Sequence, residues 1–208
     1  MQKTIILLVL AGLGAAGCTP RYRVHVNGYA ELADPIAPGA TLHVRTDPNA
    51  ANPIFDRQVR DHAETLLRGY GYAIAKTANR ADYHIDFRVG VRSESVTGYT
   101  PVYSPYFGVR GGYPGQSMFG FTSHVPYVDT FYDQWLVLRL LRPASGDDGA
   151  DEVVWVGEAV MSAEQADLRQ TVDYLLIGCV EFLGVDTGRK VALTIRKDDP
   201  RLLSLTHE

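Results

Sequence analysis

The sequence predicts an α+β fold: a two-layer sandwich, mainly antiparallel sheet with two helices packed on one face. Three observations predict it. Phe55, Val59, Ala63, Leu66, Leu67 and Tyr70 fall at helical spacing. So do Leu168, Val172, Leu175, Leu176, Cys179, Val180 and Leu183. Between these stripes, Tyr83, Ile85, Phe87, Val89 and Val91 alternate with His84, Asp86, Arg88, Gly90 and Arg92. Strict alternation marks a strand with one buried face and one wet face. Two apolar stripes and several half-buried strands hide their apolar sides together as two layers.

The chain opens with Lys3, then a short apolar run from Thr4 to Leu13, then Ala15-Ala16-Gly17-Cys18. A positive start, a short apolar core and small residues before a cut form a secretory signal, too short for a permanent membrane span. Small residues let the backbone lie extended in a peptidase groove, and a cysteine at the cut offers a thiol for lipid transfer. The run resembles a bacterial lipobox, with Ala15 where Leu is more usual. The resemblance implies a signal peptide over 1–17 and palmitate-type acylation of Cys18. Thr19 follows rather than Asp, which by the same resemblance places the chain at the periplasmic face of the outer membrane.

Residues 18–39 are expected to form the lipidated N-terminus and a tether. Within them, Tyr22, Val24 and Val26 alternate with polar residues, so 19–38 fit either an edge strand or an extended tether. The single α+β domain is expected over 40–198. Thr41 to Arg45 read as a strand. Asn52-Pro53 is a helix start, Asn as cap and Pro in the first turn, and Gly69 and Gly71 supply the stop, so a helix is predicted over 53–69. Residues 95–131 mix glycine, proline and aromatic residues without a period. Only Arg110, His124 and Asp129 in them are potentially charged near neutral pH. An insert this long without structure of its own is either functional or disordered. Tyr132 to Arg142 and Glu152 to Met161 read as a hairpin around the Gly- and Asp-rich turn Pro143–Asp151. Ser162-Ala163-Glu164-Gln165 fits a capping box for the second helix, which Gly184 closes. Val191, Leu193 and Ile195 give a last strand, and 199–208 are expected as a polar, frayed tail.

Composition narrows the function classes. The chain is 46% apolar and 21% charged, ordinary for a globular protein. Its formal charge of −4 lacks the footprint of a nucleic-acid binder. Two cysteines, one of them at the cut, leave Cys179 without a disulfide partner in the chain.

Ala81-Asp82-Tyr83, the alternating strand and the Gly/Tyr-rich insert resemble the middle of the bacterial lipoproteins known as domain of unknown function 4136. Glu152 to Ala159 are similar to that family's Trp-centred strand. The resemblance covers about residues 40–197. It implies a small α+β fold on a lipid anchor, with no established activity and no catalytic residues to carry over.

Three candidate sites follow. Cys18 is the lipidation site, making the membrane one partner. The wet sheet face gathers His43, Arg45, His84, Asp86, Arg88, Arg92, Arg139, Glu158 and Arg196. Its arginines suit an envelope protein or an anionic glycan, because the guanidinium fork fits carboxylate and phosphate. The plainer reading is a solvated face whose ion pairs contribute roughly 0.2–1 kcal/mol each. Tyr99, Tyr103, Tyr106 and Tyr113 mark a possible binding loop; the plainer reading is an expanded hairpin loop. Cys179 sits on an apolar stripe and reads as a small hydrophobe. Ser93 faces away from His84 and Asp86, against a Ser–His–Asp arrangement. No metal site or cofactor is expected, since three or four converging ligands are missing. The leading expectation is a non-enzymatic binding or assembly module in the periplasm. The alternative is a hydrolase or carbohydrate-processing enzyme with Asp86, Glu158 and Asp129 converging under the Gly/Tyr loop as a lid. A third reading is a structural spacer.

Overall fold

The computed structural model describes residues 20–32, 34–105, 120–144 and 150–206. Strands β1 (Arg21–Ala30), β2 (Thr41–Val44), β3 (Ala73–Ile74), β4 (Tyr83–Pro105), β5 (Gly120–Arg142), β6 (Glu152–Ala163) and β7 (Val191–Arg196) form one sheet in the order β3-β2-β4-β5-β6-β1-β7. Among the described residues three α-helices accompany it: α1 (Pro53–Gly69), α2 (Val172–Glu181) and α3 (Pro200–Leu205). The fold is α+β. The sheet is mixed: β2 pairs parallel with β3 and β4, and the other pairings are antiparallel.

Helix α1 spans the residues its sequence predicts. Asn52 Oδ1 accepts the Phe55 amide at 3.1 Å, and Pro53 needs no donor in the first turn. Val59, Ala63, Leu66 and Leu67 are buried, and Gly71, at φ +90°, turns the chain away after the last turn. Helix α2 is different. Tyr174 through Val180 are all buried, so no polar stripe exists, and the helix lies between β1, β5 and β6 on one side and α1 and α3 on others. A helix apolar all round is a core helix.

The second helix starts later than its capping box predicts. β6 continues to Ala163, and Ser162 Oγ donates to Asp133 Oδ1 across the strand pair at 2.6 Å instead of capping. A 3-10 turn over Leu168–Gln170, opened by Asp167 accepting the Arg169 amide, leads into α2.

Residues 21–30 are neither an edge strand nor a tether. β1 lies inside the sheet between β6 and β7, and Val24 and Val26 are fully buried. Their alternation faces the core, as it does for Ile85, Leu136, Leu138, Leu140 and Ala159, each at 0% exposure. Burying a side chain of this kind contributes roughly 1.5–3 kcal/mol. The tail is also corrected. Pro200–Leu205 form α3, Leu202 and Leu205 enter the core, and Arg201 reaches Glu181 at 2.6 Å and the Tyr70 hydroxyl at 3.0 Å. Of its three leucines, Leu202 and Leu205 turn inward and dock it, while Leu203 stays exposed.

The insert departs most from expectation. β4 and β5 pair without a break from His84↔Leu141 to Pro105↔Gly120. Backbone hydrogen bonds carry the ladder where side chains show no alternation. Beyond Tyr132, which pairs with both Ser93 and Ala163, the two strands continue alone as a ribbon.

Trp155 on β6 and Gly28 on β1 lock the sheet to the loop after α2. Trp155 Nε1 donates to the Val185 carbonyl at 3.1 Å, and the Gly28 amide donates to Thr187 Oγ1 at 3.0 Å. A methyl group on Gly28 would overlap the Val185 carbonyl oxygen. Because that atom is backbone, the loop must move. Gly28→Ala is expected to lower stability by about 2–3 kcal/mol, read as a lower urea midpoint with an unchanged slope.

Candidate functional site

Parallel pairing of β2 with β4 sets His43 beside His84, and antiparallel pairing of β4 with β5 sets Asp86 beside Arg139. These residues point away from the buried side of each strand. Asp86 accepts from Arg45 Nε at 2.7 Å and from Arg139 Nη2 at 3.0 Å. Arg45 Nη1 also donates to Asp151 Oδ2 at 2.8 Å, the oxygen that lies 2.9 Å from His84 Nδ1. The result is one network: Arg139, Asp86, Arg45, Asp151, His84. His84 Nε2 continues it to the Ala78 carbonyl at 3.1 Å. The His43 and His84 rings meet edge-on, 6.1 Å between centroids.

Electrostatics follow from this geometry. Burial works against the charge on Arg45, but its hydrogen bonds to Asp86 and Asp151 outweigh it and raise the guanidinium above its ordinary value. The hydrogen bond from His84 holds the Asp151 carboxyl below the usual carboxylate range, against a smaller opposing cost of burial. The side chains of Arg45, Asp86, Asp151 and Arg139 are all partly solvated. Each pair therefore stabilises by about 1 kcal/mol or less, and the network orients the arginines more than it stabilises the fold.

Beside the network, Arg45, Asp47, Asp86, Arg88 and Arg139 line a shallow cavity of about 320 Å³. Arg88 and Arg92 are exposed, and neither is in an ion pair among the described residues. Arg92 stands four residues further along β4, opposite Asp133. Arg196 is not part of this face cluster. It lies on β7, the far edge of the sheet, and pairs with Asp198 at 3.0 Å. Trp135, across from Gly90, packs its ring over that glycine on the same side of the sheet.

The other expected residues fall as follows. Cys18, Tyr106 and Tyr113 lie outside the described residues. Tyr103 is part of β4, and Tyr99 is exposed on the ribbon. Cys179 is fully buried, and burial pushes its thiol up, away from nucleophilic use. Among the described residues no group of His, Cys, Asp and Glu is placed to hold a metal ion. Asp86, Glu158 and Asp129 do not converge. Asp129 pairs with Val96, ten residues beyond Asp86 on β4, a separation of about 33 Å along the strand. Glu158 faces Val137 on the next strand pair. A larger cavity, about 740 Å³, opens near the end of β6, lined by Tyr22, Gln134, Glu164, Asp173 and Lys197 among others. Its buried amide, Gln134, is already bonded to Thr171 and to the Gln165 carbonyl.

Asp151 is the site residue that sequence reasoning missed. It ends the Gly- and Asp-rich turn, and nothing local links it to Arg45, 106 residues away. Only the strand order brings them together.

The fold and the face together define an α+β domain that presents an arginine-rich sheet surface. The chain belongs to the family described as Domain of unknown function (DUF4136), whose model matches residues 25–177. The match starts inside β1 and ends inside α2, so β7 and α3 lie beyond it. A solved PDZ domain protein from Parabacteroides distasonis is similar in fold, with TM-score 0.52 and 13% identity over 91% of this chain. The chain spans 42% of that protein's length. A DUF4136 family protein from Bacteroides thetaiotaomicron aligns with TM-score 0.42 and 12% identity, covering 75% of this chain and 93% of its own. A PelC dodecamer from Paraburkholderia phytofirmans aligns with TM-score 0.45 and 15% identity, covering 79% and 99%. No curated protein matches the chain.

The network carries a pH signature. With its folded pKa depressed, Asp151 contributes stability that is complete above the ordinary carboxylate range and is lost as pH falls toward the folded pKa. Asp151→Asn cannot take up that proton. Its urea midpoint is expected to be lower than wild type at neutral pH and to fall less steeply between about pH 5 and pH 2.5, so the two curves converge in acid.

Proposed function

We propose that this chain is a lipid-anchored envelope lipoprotein. It is held through Cys18 at the periplasmic face of the outer membrane and works as a non-enzymatic binding or assembly module. In this reading the domain is a two-layer, mainly antiparallel sandwich. The helices cover one sheet face and leave the arginine-bearing face for a partner. The observation that carries the binding role is the imbalance around Asp86. One carboxylate orients two arginines, and Arg88 and Arg92 beside them keep no ion pair among the described residues. Oriented, partly desolvated guanidinium groups favour an anionic partner such as an acidic envelope protein or an anionic glycan. The leader and Ala15-Ala16-Gly17-Cys18 support the anchor.

The hydrolase alternative needs paired carboxylates in one cleft. Asp86, Glu158 and Asp129 stand apart on the sheet, so the binding reading fits the geometry better.

Two measurements check this. Mass spectrometry of the exported chain is expected to find an N-terminal Cys18 carrying acyl chains, and a full-length or unacylated chain would sink the anchor. Pull-down from envelope extracts is expected to recover a stable partner whose yield drops about tenfold in the Arg88→Ala, Arg92→Ala, Arg139→Ala variant and falls with added salt. An unchanged partner list would remove the arginine face from the proposal.

A further inference from the structure

The ribbon formed by β4 and β5 beyond Tyr132 is an unusual object for a chain in water. From Glu94↔Phe131 to Pro105↔Gly120 only these two strands pair, over a length of about 40 Å. An isolated two-stranded ribbon is marginal without something to cover it. This one exposes large apolar side chains on both faces. The register puts Val96, Val125, Tyr127 and Phe131 on one face and Tyr99 and Val128 on the other, all at least 42% exposed.

Charge is graded along it. Glu94 and Asp129 lie near the base. Across Thr97–Pro105 and Gly120–Val128 there is no Asp, Glu, Lys or Arg, and His124 is the one basic residue; the rest are aromatic, aliphatic, hydroxyl, glycine or proline residues. Direction matters as much as composition. Tyr132 pairs with Ser93 and with Ala163, so the ribbon leaves the sheet at the end where β6 stops. β1 runs antiparallel to β6 and therefore starts at that same end. Cys18 is two residues before Pro20 in the sequence, so a lipid on it would join the chain just ahead of this end.

We infer that the ribbon is a second membrane contact, seated in the interfacial layer of a lipid bilayer beside the anchored N-terminus. The inference rests on the reading of Cys18 as a lipid anchor. Apolar groups on both faces suit a medium that surrounds the ribbon better than a flat protein partner that covers one side. Tyrosine and phenylalanine suit the headgroup level, where a ring has an apolar body and, in tyrosine, a wet tip. Pro101 and Pro126 offer no N–H to an incoming strand, which disfavours edge-to-edge pairing with another sheet. The ribbon lies in the interface rather than spanning the bilayer, because its open backbone edges have no partners in hydrocarbon.

The test uses a chain beginning at Thr19, which keeps every described strand and helix and has neither leader nor acyl group. On neutral phosphatidylcholine vesicles it is expected to float with the lipid, independent of salt. Replacing Tyr99, Val125, Tyr127 and Val128 together by Ser is expected to cut the bound fraction about tenfold at an unchanged thermal midpoint. The Arg88→Ala, Arg92→Ala, Arg139→Ala variant is expected to float like the parent. In a Tyr99→Cys variant, Cys179 is buried and an environment-sensitive fluorophore labels position 99 alone. Its emission is expected to shift to the blue on adding vesicles. Quenching is expected from nitroxides at headgroup depth but not from nitroxides at the bilayer centre. Failure to float, equal floating of the four-Ser variant, or quenching only from the bilayer centre would overturn the inference. The anchor fails separately: a floating unacylated chain with no acyl group on exported Cys18 keeps the ribbon and removes the lipid.

Discussion

The pairing of β4 with β5 is the constraint on which the rest of this molecule depends. It runs from His84↔Leu141 to Pro105↔Gly120 in one register. A slip of β5 by one residue would turn each of its side chains to the opposite face. Leu136, Leu138 and Leu140 would leave the core, and Asp86 would lose Arg139. The core and the charged network are two sides of the same ladder. The buried face sets the register, and the register places the charges.

Much of this was legible in the residues. The α1 stripe, its Asn52 cap and the Tyr83–Val91 alternation all describe what forms, because each signal is local and each has one physical cause. The misreadings share a cause as well. Ser162-Ala163-Glu164-Gln165 has the pattern of a helix cap, yet those first two residues stay in β6, because the ladder to Asp133 and Tyr132 outcompetes a local turn. β1 fitted an edge strand or a tether because only Tyr22, Val24 and Val26 mark it; its place inside the sheet comes from pairing with β6 and β7, far along the chain. The ribbon has no side-chain period at all. Its order comes from a zipper of backbone bonds begun in the core, and a pattern of side chains does not record that. For the site, Asp86 and Arg139 were on the expected face, whereas Asp151 and the isolation of Arg196 depend on strand order, a property of the whole sheet.

The network also explains how an acidic chain presents positive charge. Its net charge is −4, yet on this face Asp86 is shared by Arg45 and Arg139 and Asp151 by Arg45 and His84. A carboxylate shared between two side chains holds both in place. Arg45 and Arg139 are positioned by these bonds, and Arg88 and Arg92 extend the same row along β4. Charge at a surface is therefore a matter of arrangement as well as sum.

Arrangement also ties the two ends of the proposal together. β5 is antiparallel to both β4 and β6, and β6 to β1, so the ribbon base, the end of β6 and the start of β1 share one end of the sheet. The arginine network sits toward the opposite end, at the His84↔Leu141 side of the same ladder. A domain tethered at the first end would therefore hold its ribbon toward the tether and its oriented arginines away from it. Membrane contact and partner contact would then occupy different ends of one rigid sheet, and neither would have to give way for the other.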